Sequence, residues 1–206
     1  MEKDKTIRTF IAIELPAKII DGLKEIQDEL KDGTNKVTWV KPENIHLTIK
    51  FLGDIAADKI DSIAGLLESA AAKSHSFDIS VKGVGSFPTI DNPRVLWVGI
   101  EESNVNLAAL YNNIEDALSV IGFAKEDRPF KPHLTLGRIK FLKDKKGLKE
   151  RIERFKDTTL GEYMVDGICL FQSRLTTEGA VHIKLEKIEL THERIQASDQ
   201  RHQTGD

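Results

Sequence analysis

The triplet His-Leu-Thr occurs twice in the chain, at His46–Thr48 and again at His133–Thr135. Both copies lie in apolar stretches, IHLTIKFLG and PHLTLGRIKF, which have the composition of β-strands. Residues i and i+2 of a strand point to the same face, so each histidine shares a face with its threonine. If the two strands approach each other, two imidazoles and two hydroxyls converge on one cleft, where they are suited to hold a phosphate.

Two imidazoles in one cleft indicate acid–base catalysis. The pKa of an unperturbed histidine is about 6.5, so at neutral pH one ring can accept a proton from water while the other donates one to a leaving oxygen. Each positioned proton transfer typically contributes a factor of about 10² to 10⁴ to the rate. The hydroxyls of Thr48 and Thr135 can donate to phosphate oxygens, and Arg138 can supply a fixed positive fork for the anion. This chemistry requires no metal ion or other cofactor.

Other roles for the two histidines have to be weighed. A single histidine in a strand is usually a structural residue, but the same triplet in two apolar strands is difficult to attribute to chance. Zinc binding would require a third protein ligand, and we expect the remaining histidines, His75, His182, His192 and His202, to face the solvent or lie in the tail. A module that binds a terminal phosphate or a nucleotide without turnover is a further alternative, which the intact histidines and threonines disfavour.

The composition is that of an ordinary globular protein, with 40% hydrophobic and 31% charged residues in 206. A net charge of −3 provides no general attraction to nucleic acid, so an anionic substrate must be bound by a local basic site. Cys169 is the only cysteine, which excludes an internal disulfide and fits a reducing cytosol. Because no apolar segment has the length of a signal-peptide core or a membrane span, we expect a cytoplasmic protein without membrane contact.

Hydrophobic periodicity predicts alternating strands and helices along the chain. The predicted strands are 6–15, 37–40, 45–52, 77–87, 95–100, 132–139, 164–170 and 181–190. The predicted helices are 17–31, 56–73, 104–122 and 143–155. The first motif strand is expected to stop at Gly53 and Asp54, which are typical strand terminators.

This order of elements predicts an α+β fold built from two similar halves. Each half would form an antiparallel sheet with helices and would contribute one His-x-Thr strand. No linker rich in proline, glycine or serine separates the halves, so residues 1–190 are expected to form a single domain with two lobes. Residues 191–206 are almost entirely polar, and we expect them to be a disordered tail.

Five segments, in the same order, resemble the two-histidine (2H) phosphoesterases, and within them the RNA 2′,3′-cyclic phosphodiesterases, historically called 2′-5′ RNA ligases. The resemblance covers about residues 7 to 190. It rests on RTFIAIELP (8–16), WVKPENIHLTIKFLGD (39–54), RVLWVGI (94–100), RPFKPHLTLGR (128–138) and FQSRLTTEGAVH (171–182). It implies a bilobal fold of two pseudo-symmetric antiparallel-sheet lobes with outer helices and a central cleft.

The resemblance also implies an activity, namely hydrolysis of 2′,3′-cyclic phosphate at RNA ends to leave a 2′-phosphate. Such an enzyme is a hydrolase that needs neither a metal ion nor a nucleotide cofactor. Its partners would be RNA ends or tRNA fragments that carry the cyclic phosphate, and it would act as a monomer. Ligation of 2′-5′ ends, or hydrolysis of a small cyclic nucleotide such as ADP-ribose 1″,2″-cyclic phosphate, remain alternatives because the phosphate-holding core would be the same.

Residue roles follow from the same resemblance. His133 would be the proton acceptor that activates the attacking water, and His46 would be the proton donor to the departing 3′ oxygen. These two roles could be exchanged, since running the reaction backwards exchanges them. Thr48 and Thr135 would hold the phosphoryl oxygens, and Arg138 would balance the phosphate charge.

The resemblance further suggests contacts to the RNA around the two motifs. Phe10 would stack on the terminal base, a contact that tolerates any base. Basic residues near the motifs are candidates to bind RNA phosphates or to form the cleft wall, namely Lys41, Lys50, Lys131, Arg128 and Arg174.

Overall fold

The computed structural model describes residues 6–101, 105–177 and 179–191. The helices are α1 (Ala17–Leu30), α2 (Ile60–Ala71), α3 (Val105–Ser119) and α4 (Lys145–Arg154), and a 3₁₀ turn covers Pro42–Asn44. The strands are β1 (Thr6–Ile13), β2 (Lys36–Trp39), β3 (Leu47–Ala56), β4 (Phe77–Thr89), β5 (Asn92–Glu101), β6 (His133–Phe141), β7 (Thr159–Val165), β8 (Gly167–Thr176) and β9 (Gly179–Glu189). Of the predicted tail, residues 192–206 lie outside the described residues.

The described strands form one antiparallel sheet in the order β7-β4-β5-β6-β3-β1-β8-β9, with β2 paired to β6. In the middle of this order, β3 and β6 share a single pair, Leu47 with Leu134, within the described residues. The sheet is therefore divided at this pair. We call the part formed by β3, β1, β8 and β9 the first lobe, and the part formed by β7, β4, β5, β6 and β2 the second lobe.

Each lobe carries two helices. In the first lobe α2 packs against β8, β9 and α3, and in the second lobe α1 contacts β7 and α4 while α4 contacts β4. The apolar side of α1 is buried at the helical spacing seen in the sequence, by Ile19, Leu23, Ile26 and Leu30. The predicted α+β class with two antiparallel lobes is confirmed. No helix in the described part of the chain is long and apolar enough to cross a membrane.

The two lobes do not coincide with the two halves of the sequence. The first lobe combines β1, β3 and α2 with α3, β8 and β9 from the later part of the chain. The cause is the position of β1, which pairs with β3 on one side and with β8 on the other. Each lobe still contributes one motif strand, β3 in the first and β6 in the second, as the sequence predicts.

The motif strand β3 does not stop at Gly53 as expected but continues to Ala56. Gly53 has a φ of +75° and lies where the pairing with β1 shifts register, between Thr9/Gly53 and Phe10/Phe51. A glycine accepts this left-handed conformation without steric cost, so here it forms a β-bulge inside the strand instead of ending it.

The prediction of one strand over 164–170 is wrong, because two strands meet there. β7 ends at Val165 and β8 begins at Gly167, so the predicted range spans the corner at Asp166. β7 is an edge strand that pairs only with β4 among the described strands, and most of its residues are partly or fully exposed. Its weak hydrophobic pattern gives little signal of a strand.

Candidate active site

The two His-Leu-Thr triplets meet at the boundary between the lobes. Leu47 of β3 pairs directly with Leu134 of β6 in antiparallel register. Both leucine side chains are fully buried, at 0% exposure, and belong to the apolar core that extends through both lobes. Because side chains alternate along a strand, the residues on either side of each leucine project from the opposite face of the sheet.

The flanking residues therefore converge on one face. Extending the register by one residue in each direction places His46 opposite Thr135, and Thr48 opposite His133. All four side chains are partly exposed, in contrast to the buried leucines. The structure thus brings together the four residues that the sequence predicts, with each histidine facing the threonine of the other triplet.

Each histidine is held by a carbonyl two residues before it. The Nδ1–H of His46 donates to the carbonyl oxygen of Asn44, 2.8 Å away, and the Nδ1–H of His133 donates to that of Lys131, 2.7 Å away. A carbonyl oxygen can only accept, so Nδ1 must carry the hydrogen in both rings. In the neutral imidazole Nε2 then keeps its lone pair, and both Nε2 atoms are available to exchange a proton with a substrate.

The two rings differ in their surroundings. His46 stacks on Phe10 at 4.7 Å between ring centroids and meets the edge of His182 at 5.2 Å. His133 has one such contact among the described rings, edge-on to Phe87 at 5.0 Å. The aromatic enclosure thus surrounds the first histidine much more than the second.

This enclosure changes the charge of His46. Burial, together with the positive charge that His182 can carry, lowers the pKa of His46 to about 4, against a smaller opposing effect of its bond to the Asn44 carbonyl. At neutral pH the unliganded protein therefore holds His46 as a neutral imidazole. In this state it can accept a proton, and it can donate one only after it has taken one up.

The prediction that Phe10 stacks on a base is wrong for this structure. The Phe10 side chain is 2% exposed and packs against His46 and, at 5.3 Å, against Phe171. A ring this buried offers no free face to a nucleobase. Its role is to pack beside the imidazole of His46 and to help exclude water from it.

A β-bulge decides which residues after the first triplet reach the cleft. Thr48 pairs with Ala12, but the next pair toward the end of β3 is Lys50 with Ile11, so Ile49 is the additional residue. The bulge reverses the alternation, and Phe51, paired with Phe10, returns to the face of Thr48. Phe51 is 62% exposed and its ring lies 6.0 Å from Phe10. Simple alternation places Phe51 on the other face, so the sequence pattern alone misses it.

The second triplet is followed by a bulge at the equivalent position. Thr135 pairs with Trp97 and Gly137 pairs with Leu96, so Leu136 is the additional residue. The reversal brings Arg138 to the face of Thr135, where its side chain is exposed. Phe51 and Arg138 both lie five residues after their histidine, so the two bulges bring an aromatic ring and a guanidinium to corresponding positions on the face that carries the histidines.

The same bulge turns Lys50 away from the cleft. Its Nζ lies 2.7 Å from Oε1 of Glu115 on α3 and donates to the carbonyl of Ala124 at 2.8 Å. Lys50 and Glu115 are 3% and 4% exposed. The suggestion that Lys50 binds RNA phosphates is therefore wrong, because its charge is used in a buried ion pair. Of the other basic candidates, Lys41, Lys131, Arg128 and Arg174 are exposed.

His182 is not the solvent-facing residue that the sequence analysis expects. Its ring meets the edges of His46 and Phe10, and it lines a cavity of about 260 Å³ together with His46, Phe171 and Lys184. Burial lowers the pKa of His182 as well. No local motif marks this residue, since its place next to His46 depends on the pairing of β9 through β8 and β1. A larger cavity, of about 610 Å³, lies between α3 and residues 126–132 and contains neither motif histidine.

The described residues do not group three or more His, Cys, Asp or Glu side chains as a metal site requires. His46 and His182 come close to each other, but a catalytic zinc site needs three protein ligands. The zinc interpretation therefore gains no third ligand from the described part of the chain.

Comparison with known proteins agrees with this geometry. The family model described as "LigT like Phosphoesterase" matches the chain twice, at residues 13–97 and 98–182, and each match contains one His-Leu-Thr triplet. A curated relative from Methanocaldococcus jannaschii, named RNA 2′,3′-cyclic phosphodiesterase, is 38% identical over 176 residues, which are 85% of this chain and 96% of the relative. A protein of the same name from Methanothermobacter thermautotrophicus is 32% identical over 89% of this chain and 99% of its own length.

Solved structures share the fold. The crystal structure of TT0787 from Thermus thermophilus superimposes with a TM-score of 0.76 at 28% identity, covering 91% of this chain and all of that chain. Escherichia coli LigT complexed with 3′-AMP has a TM-score of 0.74 at 24% identity, and this similarity is evidence only for the shared fold. The repeated family match and the close relatives confirm the resemblance inferred from the five sequence segments, and the chain belongs to the family of LigT-like phosphoesterases.

Proposed function

We propose that this protein hydrolyses the 2′,3′-cyclic phosphate at RNA ends to a 2′-phosphate, by acid–base catalysis with two histidines and without a metal ion. The observation that carries the proposal is the pairing of Leu47 with Leu134, which sets both His-x-Thr triplets on one face. The carbonyl bonds of the two rings support it further, since they leave both Nε2 atoms free. The relatives from two archaea bear the name of this activity.

The reaction needs two proton transfers on opposite sides of the phosphorus. His133 accepts a proton from water through Nε2 as the water oxygen forms its bond to phosphorus. The bond between phosphorus and the 3′ oxygen breaks, and His46 donates the proton that this oxygen takes up. Thr48 and Thr135 donate their hydroxyl hydrogens to the non-bridging oxygens. The phosphate then remains on the 2′ oxygen.

The donor role requires His46 to be protonated when the substrate is bound. Its pKa of about 4 in the unliganded protein leaves it neutral at pH 7. A cyclic phosphate carries a negative charge, and such a charge beside an imidazole raises its pKa. We therefore propose that His46 takes up a proton from solvent when the anionic substrate binds, so that the acid is charged only in the complex.

Phe51 and Arg138 complete the proposed substrate site. Phe51 takes the role that the sequence analysis gives to Phe10, because its exposed ring offers a face on which a terminal base can stack. Arg138 projects from the face of Thr135, and a guanidinium there balances the charge of the phosphate. Stacking of this kind tolerates any base, so we expect little base preference.

We further propose that the substrates are RNA ends and tRNA fragments, and that the protein acts as a monomer in the cytoplasm. An overall net charge of −3 offers no general affinity for RNA. Recognition of the terminal nucleotide alone fits this charge. Competition between a cyclic-phosphate oligonucleotide and small cyclic nucleotides separates this proposal from the small-molecule alternative.

The test uses an oligonucleotide that ends in a 2′,3′-cyclic phosphate, incubated with the protein in EDTA. The expected product carries a 2′-phosphate, and the rate should not change when EDTA is added. A 3′-phosphate product, or no hydrolysis at all, would contradict the proposal. Incubation of the cyclic-phosphate oligonucleotide with a 5′-hydroxyl oligonucleotide measures 2′-5′ ligation, in which the 5′ oxygen attacks phosphorus in place of water and the 3′ oxygen leaves as before. We expect this ligation to be slow.

A further inference from the structure

Asn44 connects the first catalytic imidazole to a distant strand. Its carbonyl oxygen accepts the Nδ1–H of His46 at 2.8 Å, and its side-chain Nδ2 donates to the carbonyl of Ala180 at 2.8 Å. Asn44 ends the 3₁₀ turn that precedes β3, and Ala180 lies at the start of β9. One residue therefore makes both bonds, and they join segments that are far apart in the sequence.

The turn packs against α1 and β9, and Ile45 directly after it is buried in the core, but its backbone hydrogen bonds do not reach the sheet. Its backbone bonds within the described part of the chain are local, from Asn44 N–H to the carbonyl of Lys41 at 2.8 Å and from Ile45 N–H to that of Pro42 at 3.0 Å. These bonds shape the turn but do not tie it to the sheet. The bond to Ala180 provides that tie, because β9 pairs along its length with β8, and β8 pairs with β1.

The carbonyl that accepts the Nδ1–H of the histidine is held differently in the second triplet. There the accepting carbonyl belongs to Lys131, and the next residue is Pro132. The proline ring fixes its own φ and restricts the residue before it to an extended conformation, so the carbonyl is held by covalent geometry. The corresponding residue of the first triplet is Ile45, which imposes no such restriction. The side chain of Asn44 supplies the constraint that Pro132 supplies in the other copy.

We propose that Asn44 is a positioning residue, whose side-chain bond to Ala180 holds the carbonyl that fixes the tautomer and orientation of His46. β9 also carries His182, which meets the edge of the His46 ring, so this bond keeps the ring aligned with its neighbours as well. The kinetic consequence rests on the proposed function, since it assumes that His46 is catalytic. The structural consequence, a fixed tautomer, does not.

The experiment compares the wild-type protein with Asn44→Ala, and reads the imidazole directly by ¹⁵N and ¹H NMR. In the wild type we expect neutral His46 to be a single tautomer with a slowly exchanging Nδ1–H. In Asn44→Ala we expect the two tautomers to mix and the Nδ1–H signal to broaden. Loss of an outer hydrogen-bond partner of a metal-binding histidine typically lowers activity about 10- to 100-fold, and we expect an effect of similar size on this metal-free imidazole. We expect kcat to fall by about this factor and KM to change by less than about twofold, because the substituted side chain does not touch the substrate.

A matched control separates positioning from general loosening of the fold. Asn35 makes a similar bond in the second lobe, from Nδ2 to the carbonyl of Asp144 at 3.1 Å, and it also accepts two backbone N–H groups. Asn35→Ala should lower the unfolding temperature without changing kcat or the His46 tautomer. Asn44→Ser is a second variant at the tested position, since its shorter side chain is polar but cannot span the distance to Ala180.

The outcomes are distinct. An unchanged Nδ1–H signal and an unchanged kcat in both variants of Asn44 would overturn the inference. Mixed tautomers in these variants would support the inference, whether or not the wild type hydrolyses a cyclic phosphate. Failure of the wild type to hydrolyse a cyclic phosphate would overturn the proposed function instead. A similar fall of kcat in Asn35→Ala would assign the effect to stability and would also overturn the inference.

Discussion

His46 lies in an environment that opposes its charge. The rings of Phe10 and His182 contact it, and its Nδ1–H is bound to a carbonyl. An imidazole in this position is neutral at pH 7, and in the proposed mechanism binding of the anionic substrate and protonation of His46 occur together. His133 has fewer ring contacts, with the edge of Phe87 as its neighbour among the described rings.

The residues at the centre of the site could be predicted from the sequence, but those around it could not. His46 and Thr48 share a face because alternation is a local property of a strand. Phe51 reaches the cleft and Lys50 leaves it because Ile49 is an additional residue relative to β1. A bulge is defined against the partner strand, so it leaves no reliable trace in the sequence of one strand.

Replacement of Phe51 by alanine tests the proposed stacking surface at the scale of one residue. Stacking of a base on an aromatic ring contributes about 1–3 kcal/mol, so Phe51→Ala should raise KM for a cyclic-phosphate oligonucleotide by about tenfold or more and change kcat little. Phe141→Ala is a matched control, because Phe141 is also 62% exposed but lies at the far end of β6. Equal KM values for the two variants would argue against stacking on Phe51.

At the scale of elements, β3 and β6 owe their positions to different contacts. β6 is held along its length by β5 and β2, whereas β3 is held by β1 and by the ion pair of Lys50 with Glu115 on α3. Glu115 also accepts the backbone N–H of Glu126 at 3.0 Å. This network joins β3 to the segment that leads toward β6. The sequence predicts the helices and strands but not this network, because a lysine in a strand pattern is normally exposed.

The buried ion pair makes a testable contribution to stability. Lys50→Met leaves the carboxylate of Glu115 buried without its cation, and breaking a buried pair in this way costs about 3–5 kcal/mol of unfolding free energy. The double variant Lys50→Met/Glu115→Gln removes the unpaired charge and should recover much of this loss, as measured by urea denaturation. Lys149→Met breaks the exposed pair with Asp91 and should leave the unfolding free energy nearly unchanged. If the single and double variants are equally unstable, the pair is not the cause.

At the scale of the whole molecule, the lobes are interleaved along the chain and joined where the two triplets meet. Each lobe draws strands from both halves of the sequence, so neither half can form a lobe by itself. Periodicity reports which face of an element is buried but not which element covers it. The two-lobed α+β architecture could therefore be predicted, while the exchange of elements between halves, the strand β7 and the approach of His182 to His46 could not.

The low pKa of His46 also affects the stability of the whole chain. In the unfolded chain the pKa of a histidine is about 6.5, whereas in the folded protein the pKa of His46 is lowered to about 4. As the pH falls from 6.5 to 4 the unfolded chain binds a proton that the folded protein does not. The contribution of His46 to the unfolding free energy is therefore fully present above pH 6.5 and is lost progressively as the pH falls to 4. The loss approaches about 3 kcal/mol. His46→Gln should show a correspondingly smaller fall in unfolding free energy between pH 7 and pH 4.5 by urea denaturation, and an identical fall in both proteins would refute the assignment.

The most direct test of the account uses a cyclic substrate in which sulfur replaces the 3′ bridging oxygen. A thiolate leaves without a proton, so this substrate needs a general base but no general acid. We predict that His46→Ala hydrolyses the sulfur substrate at a rate close to that of the wild type, while His133→Ala stays at least about 100-fold slower on both substrates. If the sulfur substrate instead restores the activity of His133→Ala, the two roles are exchanged. If it restores the activity of neither variant, the result contradicts acid–base catalysis by the paired histidines.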